Sequence, residues 1–358
     1  MSRTTRAAVL TGPHAFEVRE LPLPVLAADE ALLRVETCGL CGSDLDCWAG
    51  HYGIPYEYVP GHEPVGVIEE IGPEAASTWG LQAGARVAVE PASPCGRCRR
   101  CLDGTYLQCA AITGMHGAMD LAQGSGLWGG YAQHMHLGPR SLLHPISPEL
   151  PLELASLFNA LGAGFDWVCE AGGATVGDTV LVLGAGQRGL ASVVAARVAG
   201  AETVVVTDIA AARHKLALAT ELGADATVVA DEQDVVEAVR ELTRGALADV
   251  VVDTVGHAPQ TAVDAVQAVR AGGTVVLAGI KGGPVPEFST DLVLGRAITL
   301  RGVLGVHGRS FRRAISVLES RRFPLERMHT HAFPLEDADT ALRVLAQGDG
   351  AIHVSLRP

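Results

Sequence analysis

Four cysteines, Cys95, Cys98, Cys101 and Cys109, fall within fifteen residues of one another. A structural Zn²⁺ takes four such thiolates tetrahedrally, and C-x-x-C spacing lets a loop wrap the ion while backbone N–H groups bond the sulfurs. Arg97, Arg99 and Arg100 lie among the thiols and would partly offset the charge of a tetrathiolate. A redox C-x-x-C pair would leave two of the four cysteines idle, and an iron–sulfur site is the other alternative. Structural zinc is the preferred expectation, a metal that holds a lobe together and does no chemistry.

A sparser set precedes the lobe: Cys41-Gly42-Ser43-Asp44, then Gly61-His62-Glu63. A thiolate, an imidazole and a carboxylate together suit a zinc ion with an open coordination position. On spacing alone a buried structural Cys41 and a satisfied His62 fit equally well.

The third constellation is Gly184-Ala-Gly-Gln-Arg-Gly189, with an apolar run Thr179–Leu183 before it and a helical stretch to Ala199 after it. Strand, glycine turn and helix in that order form a dinucleotide fingerprint. Gly184 permits the tight turn, Gly186 lets the backbone approach a diphosphate, and Gly189 allows close helix–strand packing. The anion would sit at the helix amino end, where N–H groups and the dipole favour it. Asp208 ends the next strand, 19 residues after Gly189, and is positioned to accept hydrogen bonds from both ribose hydroxyls. Its charge would repel a 2′-phosphate, so the expected cofactor is NAD. Gln187 and Arg188 in the loop and Arg213 beyond the second strand complete the candidate cofactor residues, although a surface role suits Arg188 equally well.

Two kinds of scaffold must hold these groups. To roughly residue 150 the chain has short β-like runs, such as Ala31–Glu36, Val65–Glu69 and Ala85–Val89, between Gly and Pro turns. The middle alternates near-continuous apolar strands with Ala-rich helical stretches. The strands expected are Thr179–Leu183, Thr203–Thr207, Ala226–Val229, Asp249–Asp253 and Thr274–Ala278. That alternation describes an α/β doubly wound parallel sheet. The tail adds a β-like run at Ile298–Val303 and helices at Arg309–Ser320 and Leu335–Ala346.

A chain of 358 residues with 48% apolar and 19% charged residues is globular and large enough for two domains. A net charge of -13 argues against nucleic-acid binding. No apolar run is long enough to cross a bilayer, and Met1–Glu20 lacks the apolar core of a signal peptide. The expected compartment is the cytoplasm, where clustered cysteines hold metal more often than they form disulfides.

The chain resembles a zinc-dependent member of the medium-chain dehydrogenase/reductase superfamily, the group of alcohol, sorbitol and threonine dehydrogenases. The residues that carry the resemblance are Gly39-Leu-Cys-Gly-Ser-Asp44, Gly61-His-Glu-Pro-Val-Gly66, the four-cysteine lobe, Gly130-Tyr-Ala132 and Gly184–Gly189. It implies a GroES-like β-rich catalytic domain at 1–152 with the zinc lobe and a Rossmann NAD-binding domain at 153–294. A carboxy-terminal segment, 295–358, would complete the catalytic domain, with the active site in the cleft between the two. Carried over by position, Cys41 and His62 become ligands of a catalytic zinc, with Glu63 a ligand or close neighbour. Ser43 resembles the hydroxyl that passes the substrate proton outward, and Asp44 the carboxylate that orients His62. The implied reaction is hydride transfer between an alcohol, a polyol or another hydroxy compound and NAD, with zinc polarising the oxygen.

Two departures stand out. Where relatives commonly place a Glu or Cys ligand, this chain has Asn159, a poor zinc ligand. Where many have a relay histidine it has Asp46, with His51 nearby as a substitute. Trp128, His116 and Met119 fall where relatives often line the substrate cleft, while His116, His134 and His136 have no evident partner in the sequence. A homodimer or homotetramer follows by analogy, with edge pairing near Ile298–Val303. The competing readings are a reductase of this fold without catalytic zinc and a non-catalytic nucleotide-binding protein.

Overall fold

The computed structural model describes residues 3–112, 114–285, 287, 289–348 and 350–358. The chain divides into two compact units, Met1–Asn159 with His329–Pro358, and Ala160–Met328.

In the second unit six parallel strands stand in the order Ala226–Val229, Thr203–Asp208, Thr179–Leu183, Ala248–Asp253, Val269–Leu277, Thr299–Gly302. Val180, Leu181, Val182, Val204, Val205 and Val206 are all fully buried, as strands covered on both faces require. The chain leaves Thr179–Leu183 toward one edge and later returns to Ala248–Asp253 on its other side. That reversal is the switch point at which such sheets bind ligands beyond their carboxyl ends, and the 184–189 loop sits there.

The strand–helix alternation runs one round further than expected. Thr299–Gly302 pairs in parallel with Val269–Leu277, and the helix Gly308–Ser320 that follows buries Phe311, Ala314 and Leu318. Asp166 accepts the His307 N–H at the start of that helix and the Ser310 hydroxyl, tying it to the same unit. The boundary expected after residue 294 therefore lies after Met328, and the first boundary lies at Asn159 and not at 152. Only His329–Pro358 joins the first unit. The expected strand Thr274–Ala278 also begins earlier, at Val269.

The first unit is built on a seven-stranded sheet in which His329–Pro334, His353–Arg357, Ala31–Gly39, Pro64–Ile71, Arg86–Val89 and Leu143–Pro145 follow in order, with His134–Leu137 also on Ala31–Gly39. His353–Arg357 pairs antiparallel with Ala31–Gly39 through Ser355 opposite Gly39 and Leu356 opposite Cys38. The carboxy-terminal strand thus lies beside the residues that lead into Cys41. A hairpin of Thr4–Gly12 and Ala15–Pro22, absent from the sequence expectations, forms a separate ribbon. Among the described residues no helix is long and apolar enough to cross a membrane.

Candidate metal centres and cofactor loop

The strand Ala31–Gly39 ends where the helix Gly42–Ala49 begins, with Cys41 as its N-cap. The Cys41 sulfur accepts the Ser43 N–H at 3.5 Å and the Ser43 hydroxyl at 3.2 Å. N–H donors and the positive end of a helix both stabilise a thiolate. Asp44 closes the box, its Oδ2 accepting the Cys41 N–H at 2.8 Å.

The Gly61-His62-Glu63 turn enters the neighbouring strand Pro64–Ile71 and presents His62 to the same spot. His62 Nδ1 lies 3.3 Å from Asp44 Oδ1, and its Nε2 lies 3.5 Å from the Ser43 hydroxyl and 3.8 Å from Glu63 Oε1. Burial alone would lower the His62 pKa. The Asp44 carboxylate and the Cys41 sulfur outweigh it, so the ring is held well above its ordinary value until a cation replaces its proton. One donor atom each from Cys41, His62 and Glu63 lies within 4.8 Å of the others. A soft thiolate, an imidazole and a fully buried carboxylate fit zinc. Asn159 is buried at the start of the helix Phe158–Phe165.

Asp46 and His51 lie side by side. His51 Nδ1 lies 3.1 Å from Asp46 Oδ1, with Asp46 largely buried and His51 mostly exposed. Gly50 in the left-handed region ends the helix and turns the chain back, so that the His51 N–H also reaches the Asp46 carbonyl.

In the lobe, sulfur separations are 3.9 Å for Cys95–Cys101, 3.5 Å for Cys98–Cys101 and 3.8 Å for Cys98–Cys109. A tetrahedron with Zn–S bonds of about 2.3 Å has edges of about 3.8 Å, so the four thiols fit one zinc. The Cys98 N–H reaches the Cys95 sulfur and the Cys95 N–H that of Cys109, the sulfur-bonding pattern expected for such a loop. These separations are far longer than a disulfide bond of about 2.05 Å, so the four cysteines form no disulfide. Arg97, Arg99 and Arg100 are exposed around it.

In the second unit Gly184 adopts φ +92°, and a Cβ at Gly189 would lie 1.8 Å from the Gly184 carbonyl oxygen. Both positions therefore demand glycine. Gly186 caps the helix Gln187–Ala199, whose first residue Gln187 is buried. Asp208 is anchored at the strand end, its Oδ2 accepting the Ala185 N–H at 2.7 Å and its Oδ1 the Ile209 N–H at 2.8 Å. Arg188 lies over the Trp167 ring, 5.5 Å from its centre, and Arg213 is ion-paired with Glu232.

His116, His134 and His136 have partners that spacing does not reveal. His116 Nε2 meets Ser93 and Ser141, His134 meets Thr5 and Glu69, and His136 meets Ser125 and Glu30. Trp128 stacks on His136 at 4.7 Å and donates to the Gln123 carbonyl.

Residues 27–148 match the alcohol dehydrogenase GroES-like domain family, and residues 189–320 match the zinc-binding dehydrogenase family. The chain is 41% identical over 99% of its length to a protein described as a probable alcohol dehydrogenase of Mycobacterium tuberculosis, covering 98% of that protein. It is 32% identical, over 99% of its own length and 97% of the other, to an erythritol/L-threitol dehydrogenase of Mycolicibacterium smegmatis. Among solved structures it is similar to an alcohol dehydrogenase from Thermus sp. ATN1 (TM-score 0.86, 29% identity, 98% of this chain and 99% of that one). It is also similar to a proposed zinc-binding dehydrogenase from Sinorhizobium meliloti bound to NADP (TM-score 0.87, 27% identity, 99% and 100% covered). Domain matches, full-length relatives, two zinc-type donor sets and a dinucleotide loop agree: the chain belongs to the zinc-dependent medium-chain dehydrogenase/reductase superfamily and is an alcohol dehydrogenase-like oxidoreductase that uses zinc and a nicotinamide cofactor.

Proposed function

We propose that the chain interconverts an alcohol or polyol and its carbonyl with NAD as the hydride carrier, using one structural and one catalytic zinc. The observation that carries this reading is the second donor set, Cys41, His62 and Glu63, held apart from the four-thiol lobe and braced by Asp44. When bound there, zinc supplies Lewis-acid polarisation of the substrate oxygen, and NAD supplies the hydride acceptor. Ser43, hydrogen-bonded to Cys41 and beside His62, is the hydroxyl suited to take the substrate proton. Asp46 and His51 together stand in for the relay histidine of relatives, Asp46 orienting an imidazole that reaches solvent.

NAD over NADP rests on Asp208, whose anchored carboxylate would repel a 2′-phosphate. A reducing, cytoplasmic setting suits a chain whose thiols are all unpaired by disulfides. A homo-oligomer joined at the edge strand Thr299–Gly302 suits the exposed Leu300 and Leu304 there.

The test is zinc content per chain together with nicotinamide absorbance on a panel of alcohols and polyols. Two zincs are expected, with Cys41→Ser leaving one and abolishing turnover. A single zinc that Cys41→Ser does not touch, or turnover unaffected by that change, would sink the proposal.

A further inference from the structure

Lys281 is one of two lysines in a chain with 25 arginines, and its side chain is only 11% exposed. It lies past the carboxyl end of the strand Val269–Leu277 and reaches back to the exit of the neighbouring strand. There its ammonium meets three acceptors: Asp253 Oδ2 at 2.7 Å, the Val255 carbonyl oxygen at 2.6 Å and the Thr261 hydroxyl at 2.8 Å. An ammonium has three N–H donors, so the three partners use all of them. The planar fork of an arginine does not direct its donors to acceptors gathered around one point.

Asp253 is fully buried at the end of the strand Ala248–Asp253. Its Oδ1 accepts the Val255 N–H at 3.1 Å, and the Thr261 hydroxyl lies 3.0 Å from both of its oxygens. A buried ion pair adds little stability in itself, because desolvation of the two charges offsets their attraction. What this one fixes is a stretch of backbone, since Val255 is held by its N–H through Asp253 and by its carbonyl through Lys281.

That backbone packs on the glycine turn. Thr254 donates its N–H and its hydroxyl to the Leu183 carbonyl at 3.0 and 2.9 Å. A Cβ on Gly184 would lie 2.8 Å from Thr254 Oγ1 and 2.8 Å from Val255 Cγ2, and one on Gly279 would lie 2.1 Å from the Val255 carbonyl oxygen. The His257 N–H reaches the Ile280 carbonyl at 2.9 Å. Loops leaving three adjacent strands, at 184, 254–257 and 278–281, therefore form one layer at the switch point. This layer lies on the side of the 184–189 loop away from Asp208. A dinucleotide bound across such a crevice places one nucleotide over each half of the sheet. With Asp208 serving the adenosine, the layer faces the nicotinamide half.

We propose that Lys281 is a positioning residue for the nicotinamide half of the cofactor: it pins the Val255 carbonyl to Asp253 and so holds the 254–257 loop against Gly184. This rests on the reading of the 184–189 loop and Asp208 as the dinucleotide site.

The experiment compares Lys281→Met, which keeps the length of the side chain and removes its donors, with the double variant Lys281→Met, Asp253→Asn. The double variant leaves no unpaired buried charge, and it decides the matter if the single variant fails to fold. Readouts are amide hydrogen exchange across 254–257 without cofactor, NADH affinity by fluorescence, ADP affinity by calorimetry and zinc per chain. ADP carries the adenosine and the diphosphate and lacks the nicotinamide half. Exchange across 254–257 should be faster, and NADH should bind about tenfold more weakly, the worth of one hydrogen bond to a charged group. ADP affinity and zinc per chain should match wild type. Unchanged NADH affinity in either folded variant would overturn the role of Lys281. Equal losses for NADH and ADP would also overturn it, because a general loosening of the domain would then explain both. A wild-type chain that binds neither NADH nor ADP would overturn the dinucleotide site and this inference together.

Discussion

Asp44 sits 3.3 Å from Nδ1 of His62 with one carboxylate oxygen, and the other accepts the Cys41 N–H at 2.8 Å. One buried carboxylate thus fixes two metal-facing side chains that come from different elements, the helix start and the Gly61–Glu63 turn. It sets the imidazole tautomer that leaves Nε2 as the ligand atom and raises that nitrogen's basicity.

Asp44→Ala should therefore loosen both donors at once. Zinc affinity at the Cys41 site is expected to fall 10–100-fold or more, with turnover falling in step and the lobe zinc retained. Asp44→Asn, which keeps the shape and loses the charge, should fall between. Chelator competition on the two-zinc protein checks this. An Asp44→Ala chain that keeps both metals at wild-type affinity would refute the bracing role.

In the cofactor loop, two substitutions separate geometry from charge. Gly189→Ala would force a methyl group to 1.8 Å from the Gly184 carbonyl oxygen, so the loop must open. NADH binding, read by fluorescence, should be lost while both zincs remain. Asp208→Gly should instead weaken NAD and strengthen NADP, because the ribose acceptor and the repulsive charge go together. Unchanged kinetics with both cofactors would refute the assignment of Asp208.

The parts of this architecture that the sequence made legible are those whose chemistry is local. The 179–189 strand-to-loop and the C-x-x-C lobe each satisfy themselves within a few residues, so spacing alone exposes them, whereas Cys41 and His62 stand out only through the family resemblance. What spacing hides is pairing at long range. The strand Thr299–Gly302 belongs to the nucleotide-binding sheet because it hydrogen-bonds to Val269–Leu277, and its short, exposed run has no apolar signature of a central strand. A boundary placed at 294 leaves this strand out of the sheet for that reason. The carboxy-terminal strand lies beside the run into Cys41 only because an antiparallel register brings Ser355 opposite Gly39. The Asp46–His51 contact needed the left-handed Gly50 to fold the chain back, a geometry that proximity in sequence suggests and does not determine.

The lobe predicts a pH dependence of metal loading. Backbone N–H groups hold the Cys95 thiol down to about 6, while burial and its neighbouring sulfurs push Cys101 up to about 12. Near neutral pH the metal-free lobe is thus part thiolate and part thiol, and binding must expel the remaining protons. Zinc affinity of the lobe should rise with pH between about 6 and 8, with protons released into weakly buffered solution on titration. Cys98→Ser should cut that affinity and lower the thermal midpoint. An affinity flat across this range would count against a four-thiolate site.

His116 predicts an acid limb of stability that has nothing to do with catalysis. Its ring is buried, with Nε2 3.2 Å from the Ser93 and Ser141 hydroxyls, and burial pushes its pKa down to about 4. The backbone of Trp128 opposes that fall and His136 adds to it. Because the folded value lies below the unfolded value of about 6.5, the native state binds fewer protons than the unfolded chain between them. The stability this protects is whole above about pH 6.5 and drains away as pH falls toward 4. At about 1.4 kcal/mol per pH unit the total is on the order of 3 kcal/mol. His116→Asn, which keeps a polar group for the serines and cannot titrate, should be less stable than wild type at pH 7. Its stability should then decline less steeply between pH 6.5 and 4.5. Urea unfolding of both proteins at a series of pH values reads the difference directly, since loss of zinc with acid affects the two alike. Parallel acid limbs would mean that His116 is not the group being protonated.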